Sequence, residues 1–295
     1  MILVVGGTGM LGRELVGRLR ASGRGVRVMT RRPSLAADLL EIGAEVVAGD
    51  LRDGAETRAA VDGCASVVAA AHGFVGPRGI SPATVDRDGN ARLIDAARAV
   101  GAEVLLMSIV GASEDSPVEL FRMKGAAENH LRRSGVPGTI VQATSFAELW
   151  IRLMRETASK SGRPVVFGRG RSLVNFVSVR DVSALLERVL EDTSTREDTY
   201  QLGGPDNLTM TELADLVQRA DGRTGRPRHL PPTLLRLAAM TAGHVVPQLG
   251  RQARTALWTD AEDRPFTTPG ARARFPDIPS THLLEVLGRS GAAQH

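Results

Sequence analysis

Cysteine is all but missing from this chain. Cys64 stands alone, which excludes a disulfide framework or a cysteine-built zinc site within one chain. Lysine is nearly as scarce: Lys124 and Lys160 are the only two among 37 basic residues. Aromatic residues make up 3%, and the arginines are interleaved with acids. The clustered charge and stacking rings of a nucleic-acid surface are therefore wanting, and no nucleic-acid partner is expected. No apolar run approaches the roughly 18 residues of a membrane helix, and Met1-Ile2-Leu3-Val4-Val5 opens the chain without a basic leader. A cytoplasmic protein without a membrane partner is expected. The histidines follow no H-E-x-x-H or related spacing, so no metal is assigned.

What is present describes a globular protein: 42% hydrophobic and 24% charged residues over 295 positions. The pI of about 10.1 at a net charge of only +4 reflects late-titrating arginines, not a basic patch. Short apolar runs at 2–5, 26–29, 44–47, 65–71, 103–107 and 139–142 alternate with stretches of helical periodicity such as Leu11, Leu15 and Leu19. That alternation calls for an α/β fold with a Rossmann-like, doubly wound parallel sheet. After about residue 145 the rhythm changes. The expected organisation is a nucleotide-binding domain over 1–145, rejoined by a strand and helix in 174–200. A small interleaved C-terminal cap takes 146–173 and 201–295, and the apolar stretch 234–249 is read as cap core.

The strongest local signal is Gly6-Gly7-Thr8-Gly9-Met10-Leu11-Gly12. It follows the first strand and opens an amphipathic helix, the context in which glycines let a pyrophosphate approach backbone amides at a helix N-terminus. Gly6, Thr8, Gly9, Met10, Leu11 and Gly12 are the expected cofactor contacts. An NAD-preferring site carries an acid about 20 residues further on. Here the segment is Met29-Thr30-Arg31-Arg32-Pro33, and the guanidinium groups of Arg31 and Arg32 suit a 2′-phosphate. NADP(H) is expected over NAD(H).

Beyond these motifs come Gly49-Asp50-Leu51, Asp86-x-x-Gly89-Asn90, Lys124-x-x-x-Glu128, Val177-x-Val179-x-Asp181 and Leu202-Gly203-Gly204-Pro205. With them the chain resembles the atypical short-chain dehydrogenase/reductases, in particular the NmrA-like and isoflavone-reductase-like branch. The resemblance spans residues 1 to about 210. It implies that Asp50 and Leu51 line the adenine and that Ala70 and Ala71 run along the cofactor, with His72 nearby. It also places Ala143, Thr144, Ser145 and Phe146 by the nicotinamide. Ser108 matches a serine that hydrogen-bonds a substrate carbonyl.

Short-chain dehydrogenases typically carry Tyr-x-x-x-Lys. Four residues before Lys124 this chain has Leu120, and its one tyrosine is Tyr200. Leu120 has no proton to exchange, so the tyrosine mechanism is absent. The resemblance implies that Lys124 either relays a proton or holds the nicotinamide ribose. The expected function is an NADP(H)-dependent oxidoreductase reducing a small carbonyl, enone or quinone-like substrate, with Lys124 and Ser108 as candidate catalytic residues in a monomer or homodimer. A non-catalytic NADP(H)-binding regulator is the alternative, and an epimerase or dehydratase that retains its cofactor is a third reading.

Overall fold

The computed structural model describes residues 1–76 and 79–292. In the first half, strands and helices alternate: β1 (Ile2–Val5), α1 (Met10–Ala21), β2 (Val26–Thr30), α2 (Ala37–Glu41), β3 (Glu45–Ala48), α3 (Gly54–Val61) and β4 (Ser66–Ala69). They continue with α4 (Asp88–Val100), β5 (Glu103–Ile109), α5 (Glu119–Ser134) and β6 (Gly138–Ala143). β1 and β4 are buried along their whole length, which is why they read as unbroken apolar runs. Asp53 caps α3 by accepting from the Ala55 and Glu56 amides. A single π turn over Ala83–Arg87 leads into α4, and the helix stops at Gly101, whose φ of +71° favours glycine.

The second half contains β7 (Ser145–Phe146), α6 (Ala147–Ser161), β8 (Val165–Phe167), β9 (Leu173–Val177), α7 (Val179–Glu191), β10 (Thr199–Leu202) and β11 (Asp206–Thr209). It ends with α8 (Met210–Ala220), β12 (Arg228–Leu230), α9 (Pro232–Val245), α10 (Pro247–Thr259) and α11 (Leu283–Ala292). Thr209 and Glu212 form a reciprocal capping box at the start of α8.

The chain divides into two compact units. The first gathers Met1–Ala143, Val182–Leu202 and Ala271–Ile278. Its sheet runs β10-β6-β5-β4-β1-β2-β3, and every pairing is parallel. Read from β3, this is the 3-2-1-4-5-6 order of a dinucleotide-binding sheet with one strand added. The Rossmann-like α/β architecture expected from the sequence is therefore present. Leu3, Val67, Leu93, Ile94, Leu106 and Ile140 form the core on one sheet face, where truncating a leucine to alanine costs about 2–5 kcal/mol.

The second unit gathers Thr144–Asp181, Gly203–Gly270 and the chain from Pro279 onward. Its core packs Ile151, Met154, Val166, Phe176, Leu213 and Leu287. Two sequence expectations change here. The strand expected at the start of 174–200 to rejoin the main sheet is β9, and it pairs with β11 and β7 in a separate three-stranded sheet. The seventh strand of the main sheet is β10. A short buried apolar run says that a strand is covered on both faces, not which sheet it joins. In α9, Leu235 is buried, while Leu234, Leu237 and Met240 face outward, so the stretch read as cap core turns much of its apolar surface to solvent.

Candidate functional site

The reversal of strand order falls between β1 and β4, so the crevice beyond their carboxyl ends is the expected ligand position. The glycine loop occupies it. Gly6 has φ +92°, and a Cβ there would lie 2.8 Å from Ala70 C and Ala71 N. A Cβ on Gly12 would lie 2.2 Å from Gly6 O. These two glycines let the loop, the exit of β4 and the start of α1 pack backbone to backbone. Gly9 is different: it is exposed, and its Cβ would meet only Gly6 O, at 3.2 Å. It is the N-cap of α1 and brings no side-chain cap, and the first turn holds no acid. The amides opening α1 thus present the positive end of the helix without a side chain covering it. This bare cradle fits a pyrophosphate. Thr8 and Met10 are half-buried beside it, and Leu11 turns into the core.

Arg31 and Arg32 leave the end of β2 and are exposed. The Arg32 side chain makes no hydrogen bond or ion pair among the described residues. Asp50, after β3, accepts from Arg52 Nε at 3.0 Å and Nη2 at 2.5 Å. The Arg52 bond holds its carboxyl below the usual range, with a smaller contribution from the charge of Arg31. Leu51 is buried under α4, where a Cβ on Gly89 would come within 2.9 Å of its Cγ.

Lys124 lies on the buried face of α5 with Ala127, Glu128 and Leu131. Its Nζ donates to Met107 O of β5 at 2.9 Å and stands 3.0 Å from Asp86 Oδ1. The Asp86 side chain is wholly shielded from water. Its Oδ2 accepts from the Gly73 amide at 2.8 Å, and its Oδ1 meets the ammonium at ion-pair distance without a well-aligned hydrogen bond. Asn90 Nδ2 donates to Asp86 O at 2.9 Å, tying the π turn to α4. Of the three ammonium hydrogens, one is fixed on Met107 O, while the Asp86 carboxylate holds the charge without a second aligned bond.

His72 precedes the Gly73 amide that Asp86 binds. Its side chain is exposed to solvent, with protein packed closely around it. That crowding pushes the imidazolium pKa below 6.5; the charge of Lys124 acts the same way and that of Asp86 opposes it.

Ser108 turns inward. Its Oγ donates to buried Glu128 at 2.5 Å, and Glu128 also accepts from Gln142 Nε2 at 2.8 Å and Arg132 Nη2 at 3.0 Å. The hydroxyl proton of Ser108 is thereby committed to a carboxylate. Thr144 Oγ1 donates to Asn175 Oδ1 at 2.7 Å, and that oxygen also accepts the Gly204 amide at 2.9 Å. Tyr200 is buried on β10, donates to Thr195 O at 3.3 Å and stands edge-on to Phe275. It serves the sheet edge, and Leu120 is half-buried on α5.

Sequence reasoning quoted Asp86 only as part of a motif and gave no role to Gly73 or the Met107 carbonyl. The usable signal was spacing: Asp86 stands seven residues before Leu93 and eleven before Ala97, on the stripe that the helix pattern buries, and a buried carboxylate needs a partner. Among the described residues no cluster of three or more metal-ligating side chains exists, and no helix is long and apolar enough to cross a membrane.

A family profile described as NAD(P)H-binding matches residues 6–193. The chain belongs to this NAD(P)H-binding family within the atypical short-chain dehydrogenase/reductases. Among its relatives is the NAD(P)H azoreductase of Xenophilus azovorans, 31% identical over 77% of this chain and 76% of that protein. Another is the photosystem II assembly factor Ycf39 of Trieres chinensis, 26% identical over 82% of this chain and 76% of that protein. In fold the chain is similar to Citrobacter sp. triphenylmethane reductase complexed with NADP(H), with a TM-score of 0.77 and 20% identity over 98% of this chain and 99% of the other. The family includes NAD(P)H-dependent reductases, in agreement with the cofactor class expected from the glycine loop.

Proposed function

We propose that this chain is an NADPH-dependent reductase of a small, largely apolar, conjugated acceptor: a carbonyl, enone or quinone-like compound. The observation that carries the reading is the Lys124 ammonium, held between the Asp86 carboxylate and Met107 O. The likeness to an azoreductase supports it, because an azo group is also a conjugated electron acceptor.

The amides of the Gly9 turn hold the pyrophosphate, and Gly6 keeps Ala70 and Ala71 close along the same crevice. Arg31 and Arg32 take the 2′-phosphate through charge-assisted hydrogen bonds, which selects NADP(H) over NAD(H). Asp50 and Leu51 bound the adenine end, and Ala143 at the close of β6 the nicotinamide end. The nicotinamide cofactor, when bound, supplies the hydride. Lys124 directs an N–H to the ribose and sets a positive charge where negative charge develops on the acceptor. Ser108 braces Glu128 in this reading, because a substrate carbonyl would have to compete with a carboxylate for its proton.

Lys124→Ala tests the assignment. Loss of turnover against a panel of quinones, enones and azo compounds, with NADPH still bound, supports it. Undiminished turnover removes Lys124 from the mechanism. A second reading, an NADP(H)-binding regulatory protein without turnover, is favoured by Leu120 at the usual tyrosine position and by the likeness to an assembly factor. It predicts equal binding of oxidised and reduced cofactor and no NADPH oxidation with any acceptor.

A further inference from the structure

From Gly222 to Thr259 the chain holds no aspartate or glutamate, although it carries 33 of them over its 295 residues. The same stretch holds six arginines, of which Arg226, Arg228, Arg236 and Arg254 are exposed. It also builds α9 and α10, and these present Leu234, Leu237 and Met240 at 50%, 56% and 73% exposure, with Val246 and Leu249 at 42% and 49%.

Leu234, Leu237 and Met240 are three residues apart and fall on one arc of α9, away from buried Leu235. Arg236 stands one turn before Met240 and borders that arc. Arg254 Nη1 reaches from α10 to Ala239 O at 3.0 Å, setting a second guanidinium beside the C-terminal half of α9. A surface helix of a globular protein turns its apolar stripe inward. Here aliphatic side chains bordered by arginines are turned outward.

We propose that the α9–α10 hairpin docks on the surface of an anionic lipid bilayer. Charge complementarity selects this occupant, because the stretch brings arginines and no acid of its own to anionic headgroups. Exposed Thr233 and Thr241 share the arc, the Thr241 hydroxyl turned back on Leu237 O at 2.8 Å, and the large side chains there are the apolar Leu234, Leu237 and Met240. They can enter the acyl boundary without a shaped counterpart. The proposal concerns a face of the second unit and stands whether or not the chain turns over substrate.

The test is co-sedimentation of the full-length protein with vesicles of phosphatidylcholine alone or mixed with phosphatidylglycerol. The proposal expects about tenfold or more tighter binding to the mixed vesicles, weakening as salt is raised. Leu237→Glu combined with Met240→Glu abolishes the binding, and Arg236→Glu weakens it several-fold. NADPH affinity, measured in parallel, stays unchanged and reports an intact fold. Absence of binding to the mixed vesicles, or equal binding to both kinds, overturns the proposal. So does a dimer in light scattering that Leu237→Glu dissociates, which would assign the face to a second copy of the chain.

Discussion

The ammonium of Lys124 and the carboxylate of Asp86 meet at 3.0 Å, with the carboxylate sealed from water. The two residues come from α5 and from the π turn before α4. The Gly73 amide after β4 and the Met107 carbonyl of β5 complete their polar contacts. Four separate segments converge on one ion pair, which leaves the lysine little freedom to move. The fixed orientation, more than the charge, distinguishes this lysine from the arginines that fill the rest of the chain.

Asp86→Ala leaves that ammonium buried without a counter-charge. Breaking a buried pair at one partner costs about 3–5 kcal/mol, so urea denaturation of the variant should show a loss of that order. Asp86→Asn keeps an acceptor for the Gly73 amide and should lose less. A midpoint unchanged by Asp86→Ala would mean the pair is not closed off as described.

Gly9 and Gly12 should respond differently to the same added methyl group. Gly12→Ala drives a Cβ into Gly6 O and should destabilise the fold. Gly9→Ala makes only one close contact, with Gly6 O at 3.2 Å, and places a methyl group at the opening of α1. Its NADPH affinity should fall about tenfold or more through the lost charge-assisted bonds, with a much smaller loss of thermal stability than Gly12→Ala. Calorimetric titration and thermal melts on both variants check the contrast.

Arg31→Ala and Arg32→Ala should each weaken NADPH by about tenfold while leaving NADH almost untouched, since only the former carries the 2′-phosphate that a guanidinium grips. Parallel titrations with the two cofactors measure this. Equal losses for both would assign the arginines a general electrostatic role.

His72 gives stability a pH dependence of defined sign. Its folded pKa lies below the ordinary 6.5, so the unfolded chain binds the proton more readily. The contribution is fully present above 6.5 and is lost as pH falls from there through the depressed folded value. Melting temperature followed downward from pH 7.5 should decline in that window, and His72→Gln should flatten the decline.

The main sheet was legible in the sequence because β1, β2, β4, β5 and β6 are covered on both faces and read as apolar runs. β10 was not. Its residues Thr199, Tyr200, Gln201 and Leu202 alternate between exposed and buried, and four alternating residues at a sheet edge carry little signal. α6 was also missed, its stripe of Ala147, Ile151, Met154 and Ala158 falling in a stretch whose rhythm had already changed. The cradle was legible because Gly6, Gly9 and Gly12 are local in sequence. The Asp86–Lys124 pair was not, since each residue stood in its own motif and only the tertiary fold joins them. Ser108 looked available at a strand end, and what it meets, Glu128, lies a full helix away in the chain.

The most direct test of the account is a single turnover, with enzyme saturated with NADPH mixed against excess quinone and the reduced nicotinamide absorbance followed. Decay should be rapid in the parent protein and about a hundredfold or more slower in Lys124→Met under the same saturation. Equal rates in the two proteins, or no decay in the parent with any conjugated acceptor, would contradict it.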